Sequence, residues 1–226
     1  MNEILDFFNN YPSIQLRHVF TNCLIDENLV NDYLCNHFVK NFIRPQDKVI
    51  LNHPLLIQHF KQEYPQIPII YSTTMGIIDS QKINDITQHN LYVVNYNYNN
   101  NDQYLANLTH PENIELICAE PCHPLCQYRK QHYLGISQSI LLQPLSNGGI
   151  IECPFGNEQL TFSELMTLPH AISNERLVQL SQKGFNNFKI SGRSLTVPHW
   201  LETILYYIAL PEKRDYIRQK LLADWW

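Results

Sequence analysis

The sequence predicts an α/β protein with a (β/α) barrel of the TIM type. Two observations lead to this fold class. Short runs rich in Ile and Val alternate with longer amphipathic segments, and most of these runs are apolar at both alternating positions. Strands that are apolar on both faces are covered on both faces, which favours parallel pairing through βαβ units. No GxGxxG follows any of the runs, which disfavours a dinucleotide-binding sheet.

Six segments have the pattern of buried strands, and two weaker ones, 149–152 and 170–172, bring the count to the seven or eight that a barrel needs. At 226 residues the chain is at the lower end of the size of this fold, so we expect the barrel to be incomplete or irregular at one element. The six predicted strands are residues 14–20, 48–51, 67–71, 91–96, 114–118 and 187–191.

Helices are predicted between the strands from apolar residues at intervals of three and four and from capping residues. Pro54 suits the first turn of one helix, and Gly184 suits the end of another. We expect a single barrel domain over residues 1–226, with a helical extension from about residue 198. The predicted helices are 27–42, 54–64, 79–89, 174–183 and 198–208, with a further short helix after Pro211.

The composition excludes few classes of function. The net charge of −5 gives no general electrostatic reason to expect nucleic acid, although a local basic patch would be averaged away in that sum. The first residues, MNEILDFFNN, lack a secretory signal, and no apolar run is long enough to span a membrane. We therefore expect a cytoplasmic, reducing setting, in which Cys23 and Cys35 are small buried apolar residues.

Polar side chains follow every predicted strand at its carboxyl end. In a parallel barrel these ends meet at one face, where the connecting loops build the binding site. Because loops are commonly polar, a shared site depends on all of these residues converging. They are Thr21, Asn22, Asn52, His53, Ser72, Thr73, Thr74, Asn95, Asn97, Glu120, Ser191 and Arg193.

Lys189 interrupts the apolar run of the last predicted strand. Its alternation matches Ser191 and Arg193, which predicts that it points into the barrel and pairs with Glu115 or Glu120. Buried lysines are usually paired, which favours a structural or orienting role over catalysis.

Four cysteines gather around the end of the fifth predicted strand. Cys118, Cys122 and Cys126 are spaced as Cys-x3-Cys-x3-Cys, and Cys153 follows 27 residues later. Four thiolates can hold an iron–sulfur cluster or a tetrahedral zinc ion, and this spacing leaves a cluster, zinc and no metal all open. His123, in this segment, is expected to be an ordinary polar residue rather than a ligand.

Two motifs resemble the barrel domain of the collagenase-like peptidases of unassigned catalytic type. The first is ICAEPCHPLCQYRKQHY, and the second is GFNNFKISGRS followed by a helix with Trp200 and Tyr206. The resemblance covers most of the chain from about Arg17, although only these two motifs are specific. It implies an iron–sulfur cluster of the 4Fe-4S type and a modification reaction, oxygen-independent hydroxylation of a ubiquinone precursor or of an RNA base.

The resemblance places the metal ligands first on Cys122 and Cys126, then on Cys153, and last on Cys118, whose position in a strand departs from the family pattern. The leading hypothesis is thus a barrel protein with an iron–sulfur cluster and a small-molecule or RNA substrate, acting alone or with a protein partner. The residues expected to bind substrate are Arg129, His132, Lys189, Arg193 and Glu120, and the first four would position an anionic substrate or partner.

A second hypothesis is a non-catalytic binding or scaffold protein with structural zinc or reduced cysteines. A peptidase has little local support, because neither a Ser-His-Asp arrangement nor HExxH is visible. The sequence assigns no catalytic residue, so it does not decide whether the protein is an enzyme.

Overall fold

A computed structural model of the chain describes residues 2–142, 160–191 and 196–223. Within these ranges, helices and strands alternate as the α/β prediction requires. The strands are β1 (Arg17–Phe20), β2 (Lys48–Leu51), β3 (Ile69–Tyr71), β4 (Leu91–Val93), β5 (Ile114–Ile117) and β6 (Asn187–Lys189). The helices are α1 (Asn2–Asn9), α2 (Glu27–Val30), α3 (Tyr33–Phe42), α4 (Pro54–Glu63), α5 (Ser80–Thr87), α6 (Asp102–Leu105), α7 (Arg129–Leu142), α8 (Phe162–Thr167), α9 (Asn174–Gln182), α10 (Val197–Ile208) and α11 (Arg214–Ala223).

The strands form a sheet whose hydrogen-bonded order follows the order along the chain, from β1 to β6. The pairs β1–β2, β2–β3, β3–β4 and β5–β6 are parallel. Just after β4, the backbone N–H of Val94 donates to the carbonyl of Glu115 in β5 (3.0 Å). Parallel neighbours require a crossover between them, and helices supply it, so the prediction of an α/β fold with a parallel sheet is confirmed.

Five of the six strands are shorter than predicted, whereas β2 has the predicted bounds. β4 ends at Val93 because the Asn95 side chain accepts a hydrogen bond from Asn97 N–H (3.0 Å) and starts a 3₁₀ turn at Tyr96–Tyr98. The prediction of a strand at 170–172 is wrong: Ala171 N–H closes a turn to Leu168 O (3.0 Å), and only Ile172 N–H, which donates to Cys118 O (3.0 Å), bonds to the end of β5. The candidate at 149–152 lies outside the described residues.

The helix predicted over 27–42 is two helices. The Asp26 carboxylate caps α2 by accepting from Leu29 N–H (2.8 Å), and the Asp32 carboxylate caps α3 by accepting from Cys35 N–H (2.7 Å). Asp32 is therefore a second N-cap within the apolar pattern. It satisfies an amide in the first turn of a new helix, so the chain can change direction there. The other predicted helices are confirmed to within two residues at each end.

The chain divides into two compact units. Unit 1 consists of Met1–Ile77, His89–Tyr92 and Tyr128–Ile151, and unit 2 of Ile78–Gln88, Val93–Gln127 and Glu152–Trp226, as far as the described ranges reach. A single domain over residues 1–226 therefore stays a prediction.

The core of unit 1 is built on β2 and β3. Val49, Leu51 and Ile70 are almost completely buried, as are Ile57 and Phe60 of α4, and the Phe60 ring lies 5.8 Å from the ring of Phe20 in β1. The α4 helix starts at Pro54, whose fixed φ suits the first turn, and the ring nitrogen Nδ1 of His53 accepts from Leu55 N–H (3.3 Å).

Unit 2 is organised on β5, all four residues of which are buried. Leu180 from α9 and Leu205 from α10 are also buried. The Tyr207 hydroxyl, on α10, donates to the carbonyls of Ile172 (2.7 Å) and Cys118 (3.3 Å), which ties this helix to the end of β5.

A buried ion pair joins the starts of β1 and β2 within unit 1. The side chain of Asp47 is fully buried and accepts hydrogen bonds from Arg44 Nη2 (2.8 Å), Arg44 Nε (3.1 Å), Leu16 N–H (2.8 Å) and the His18 ring (3.3 Å). Burial alone would raise the pKa of Asp47, but these donors outweigh it and lower the pKa to about 2.

Two further expectations can be compared with the structure. Cys35 is exposed on α3, so its assignment as a buried apolar residue is wrong; Cys23 is half-buried. Through the described parts of the chain, none of the helices has the length and apolar character to cross a bilayer.

Candidate functional site

The loop after β5 carries two of the predicted ligands. We call residues 121–127 the cysteine loop; it contains Cys122 and Cys126, both half-buried. A turn lies between them, closed by a hydrogen bond from Cys126 N–H to His123 O (3.3 Å). Pro124 is its second residue and Leu125, at φ 53°, its third. A proline followed by a residue with positive φ is the pattern of a type II turn.

Two side chains that follow β4 hold this turn. The Tyr96 hydroxyl donates to His123 O (3.3 Å), and Asn97 Oδ1 accepts from Leu125 N–H (3.1 Å). Tyr96 is itself completely buried, and its ring packs against the ring of His170 at a centroid distance of 4.5 Å. The cysteine loop is therefore fixed from the end of the neighbouring strand.

Leu125 is unusual in conformation and in exposure. In the part of the chain that the structure describes, it is the non-glycine residue with a positive φ, and 80% of its surface is exposed. The left-handed conformation costs a residue with a side chain about 1–2 kcal/mol, and type II turns normally place Gly or Asn at this position. The loop thus keeps a costly residue between its two cysteines.

Cys118 has a different environment from the other two cysteines. It is 1% exposed, its N–H donates to Lys189 O (2.9 Å), and its carbonyl accepts from Ile172 N–H (3.0 Å). Burial, with a smaller contribution from the Glu115 carboxylate, raises the pKa of the Cys118 thiol to about 12. Because the thiolate is the metal-binding form, this cysteine is poorly prepared to be a ligand.

The predicted four-cysteine site can be compared only in part. Within the described ranges, no three or more His, Cys, Asp or Glu side chains lie close enough together to hold a metal ion. Cys153 lies outside those ranges. Cys122 and Cys126 are the predicted ligands that the described structure leaves partly accessible, and a site of four thiolates stays a prediction.

Glu120 and Lys189, both predicted to bind substrate, belong to unit 2. Glu120 is half-buried; its Oε2 accepts from the Ser191 hydroxyl (3.4 Å), and its backbone carbonyl is 2.8 Å from Nε2 of the buried His170. Lys189 is also half-buried and ends β6. Within unit 2 the ends of β5 and β6 therefore do bring polar side chains together, as predicted for Glu120 and Ser191.

Arg129 and His132, also predicted to bind substrate, lie in the first turn of α7, which belongs to unit 1. Arg129 Nε donates to the Tyr133 hydroxyl (2.7 Å), and its guanidinium carbon is 5.4 Å from the centre of the Tyr133 ring. His132 is a helix residue, and its Nε2 is buried with no hydrogen-bond partner within the described ranges. Arg193, the remaining member of the predicted set, falls in the undescribed residues 192–195.

In unit 1 the polar residues after β1 and β2 do converge. Asn52 Nδ2 donates to Thr21 O (2.9 Å) and to Cys23 Sγ (3.3 Å). The N–H of Cys23 donates in turn to the hydroxyl of Ser137 (2.9 Å), a buried residue of α7. The predicted exits of β1 and β2 are therefore joined directly, and a helix that the sequence did not predict binds the chain that follows β1.

Sequence reasoning missed three residues that shape these sites. Tyr96 was read as part of a strand, His170 as part of a weak strand, and Ser137 lies on α7, whose apolar residues are spread around the helix so that Ile136 and Ile140 are exposed. For Tyr96, the Asn before it was the available signal, because Asn commonly caps a turn. For His170 and Ser137 no local signal existed.

Comparison of the chain with protein-family models, with curated proteins and with solved structures gives no match. The resemblance to the collagenase-like peptidases therefore stays a prediction that depends on the two sequence motifs.

Proposed function

We propose that the protein binds a soft metal or an iron–sulfur cluster through thiolates of the cysteine loop. The observation that carries this proposal is the construction of the loop: a turn fixed by Tyr96 and Asn97 holds Cys122 and Cys126 four residues apart, both partly accessible. Fixed ligands lower the entropic cost of binding a metal, because the ligands need not be ordered when it binds.

The ligand set that we propose differs from the one expected from spacing alone. Cys122 and Cys126 are its described members, and Cys153 is retained from the sequence as the third. Cys118 is left out, because its raised pKa and deep burial favour the thiol. A bound cluster would supply electron transfer or a Lewis-acidic iron, and the chain's own contribution is to hold the ligands.

We propose further that the protein is a TIM-like barrel of the collagenase-like peptidase type. It would take part in hydroxylation of a small molecule or RNA in the cytoplasm. Its support is the strand order, which follows the chain as in a (β/α) barrel, together with the two sequence motifs. The polar ends of β5 and β6, where Glu120 meets Ser191, are the proposed place for a substrate group.

The alternative is a non-catalytic binding or scaffold protein with structural zinc. What favours it is that only two cysteines, Cys122 and Cys126, are held in the loop and no group of three ligands occurs in the described ranges. Two cysteines from a loop with two ligands from elsewhere are common in structural zinc sites.

Purification without oxygen tests the proposal and distinguishes an iron–sulfur cluster from structural zinc. Iron, acid-labile sulfide and zinc are measured per chain, together with the visible absorption spectrum. Iron with sulfide supports the cluster, and stoichiometric zinc without sulfide supports the alternative. A folded protein with neither metal contradicts the proposal.

Five variants test the ligand set. We expect Cys122→Ser and Cys126→Ser to lose the metal, whereas Cys118→Ala and the exposed Cys35→Ser keep it. Cys153→Ser tests whether Cys153 is the third ligand, as the sequence predicts. If Cys118→Ala, still folded by circular dichroism, loses as much metal as Cys122→Ser, the proposed ligand set is wrong.

A further inference from the structure

A second candidate site lies in unit 1, at the carboxyl ends of β1, β2 and β3. These strands pair in parallel, with Phe20 opposite Leu51 and Leu51 opposite Tyr71. The residues that come next, Thr21, Asn52 and Ser72, therefore follow neighbouring strands at the same edge. In parallel α/β sheets this is the edge at which ligands bind.

Asn52 is the central residue of this edge. It is 8% exposed, and its Nδ2 is committed to Thr21 O (2.9 Å) and Cys23 Sγ (3.3 Å). These two bonds fix the orientation of the amide, because a flipped amide would place its oxygen against the carbonyl of Thr21. The opposite atom, Oδ1, is buried and accepts no hydrogen bond from any residue that the structure describes.

A second buried oxygen lies at the end of the next strand. Thr73 Oγ1 also has no hydrogen-bond partner in the described ranges, although its neighbours are fully used: the Ser72 hydroxyl pairs with Thr74 Oγ1 (3.0 Å) and accepts from Thr74 N–H (3.2 Å). Buried polar atoms nearly always have a partner, so two such atoms on consecutive strand exits require an explanation.

The chemistry of the two atoms indicates what would satisfy them. An amide oxygen accepts hydrogen bonds, and a threonine hydroxyl both accepts and donates. A hard cation would need carboxylate ligands beside these oxygens, and no group of such ligands occurs in the described residues, whereas a hydroxyl can donate to the amide oxygen and pair with the threonine hydroxyl. Cys23 Sγ, 3.3 Å from the other end of the Asn52 amide, lies beside the same position and is half-buried.

We propose that the carboxyl ends of β1–β3 form a binding site for a small uncharged molecule that carries hydroxyl groups, which Asn52 Oδ1 and Thr73 Oγ1 bind. The site consists of residues of unit 1 and does not depend on the metal proposed for the cysteine loop. It gives the chain a place for an organic substrate or ligand.

Disulfide exchange at Cys23 tests the proposal. The full-length chain, with its other cysteines changed to serine, is incubated under reducing competition with two cystamine probes of equal size. One probe carries glyceroyl groups with two hydroxyls each, and the other carries pentanoyl groups. Capture is measured by intact mass. A matched chain keeps only Cys35, which is exposed on α3.

We expect Cys23 to capture the glyceroyl probe about tenfold better than the pentanoyl probe, and Cys35 to capture both equally. Equal capture of the two probes at Cys23 would mean that only water satisfies the buried oxygens, and it would overturn the proposal.

Thr73→Val separates binding from folding. Valine has the shape of threonine and removes a hydroxyl that makes no described hydrogen bond, so the variant should unfold at the same or a higher temperature than the parent. We expect it nevertheless to lose the preference for the glyceroyl probe. A stable Thr73→Val protein that keeps the full preference contradicts the role given to Thr73. Metal content, measured for Thr73→Val in the chain that keeps all its cysteines, is unchanged in either outcome.

Discussion

The Asp47 ion pair and the cysteine loop each contain an energetically unfavourable feature, but only the ion pair balances it with local contacts. At Asp47, burial of a carboxylate is offset by five donors, the four named above and the Arg44 backbone N–H (3.1 Å). Arg44 also donates to the carbonyls of Phe8 (2.8 Å) and Ile14 (2.8 Å). In the cysteine loop, Leu125 is both strained and exposed, and the hydrogen bonds from Tyr96 and to Asn97 hold the turn without burying the leucine side chain or changing its positive φ. A free-energy cost that neighbouring groups offset indicates a structural element. A cost that they do not offset is expected where a site serves function rather than stability.

Removal of the Asp47 carboxylate should cost the most stability. We expect Asp47→Ala to lower the free energy of unfolding by about 3–5 kcal/mol, because it leaves Arg44 partly buried without its partner. Asp85→Ala is the control, since Asp85 is exposed on α5, and it should change stability by less than about 0.5 kcal/mol. Urea unfolding followed by circular dichroism measures both. Equal effects of the two variants would remove the contrast between the ion pair and an ordinary surface acid.

Cys118 should react far more slowly with an alkylating reagent than an ordinary thiol. Its pKa of about 12, against a usual 9.0, lowers the thiolate fraction near neutral pH about 1,000-fold, and burial adds steric protection. Iodoacetamide labelling of the metal-free protein with peptide mass mapping measures Cys118 beside Cys122 and Cys126. Similar labelling rates for all three would show that Cys118 belongs with the loop after all.

Acid should weaken the protein through Asp47 in a defined window. The pKa of Asp47 is lowered on folding, so its contribution is fully present above about pH 4 and is lost as the pH falls toward 2. The shift from 3.8 to about 2 corresponds to about 2 kcal/mol. Unfolding curves of the native chain and of Asp47→Asn at a series of pH values should converge over this window. Curves that stay equally far apart at all pH values would contradict the lowered pKa.

Leu125→Gly should make the protein slightly more stable. Glycine relieves the strain of the positive φ, worth about 1–2 kcal/mol, and gives back part of this through the freedom of the unfolded chain. The net gain should be about 0.5–1 kcal/mol. Leu210→Gly, at an exposed leucine with φ −57°, is the matched control and should lose stability. A loss in both variants would show that the loop conformation is not strained.

The buried strands could be predicted because their pattern is local. β2 has its predicted bounds, and β5 is buried at all four positions as its composition indicates. Strand ends were predicted less well, because side chains such as that of Asn95 compete with the sheet for backbone groups. The break between α2 and α3 depends on Asp32, a cap inside an otherwise continuous apolar pattern.

The candidate sites were less predictable, because they depend on contacts that are distant in sequence. The polar strand ends were listed correctly, but the links of Asn52 to Cys23 and of Tyr96 to His123 join residues that no pattern connects. The turn at Leu125 has no glycine to announce it, since HPLC reads as an ordinary loop. Spacing also ranked Cys118 with the other cysteines, whereas only its burial separates it from them.

The hydrogen bond from Cys23 N–H to the Ser137 hydroxyl has a consequence for synthesis on the ribosome. β2 and β3 each pair with the strand made just before them, so β1, β2 and β3 can associate while the chain is still growing. Ser137, however, is made 114 residues after Cys23. The polar end of β1 must therefore stay open to water until α7 emerges, and a chain released before that point would hold its first strands together with their carboxyl ends uncovered.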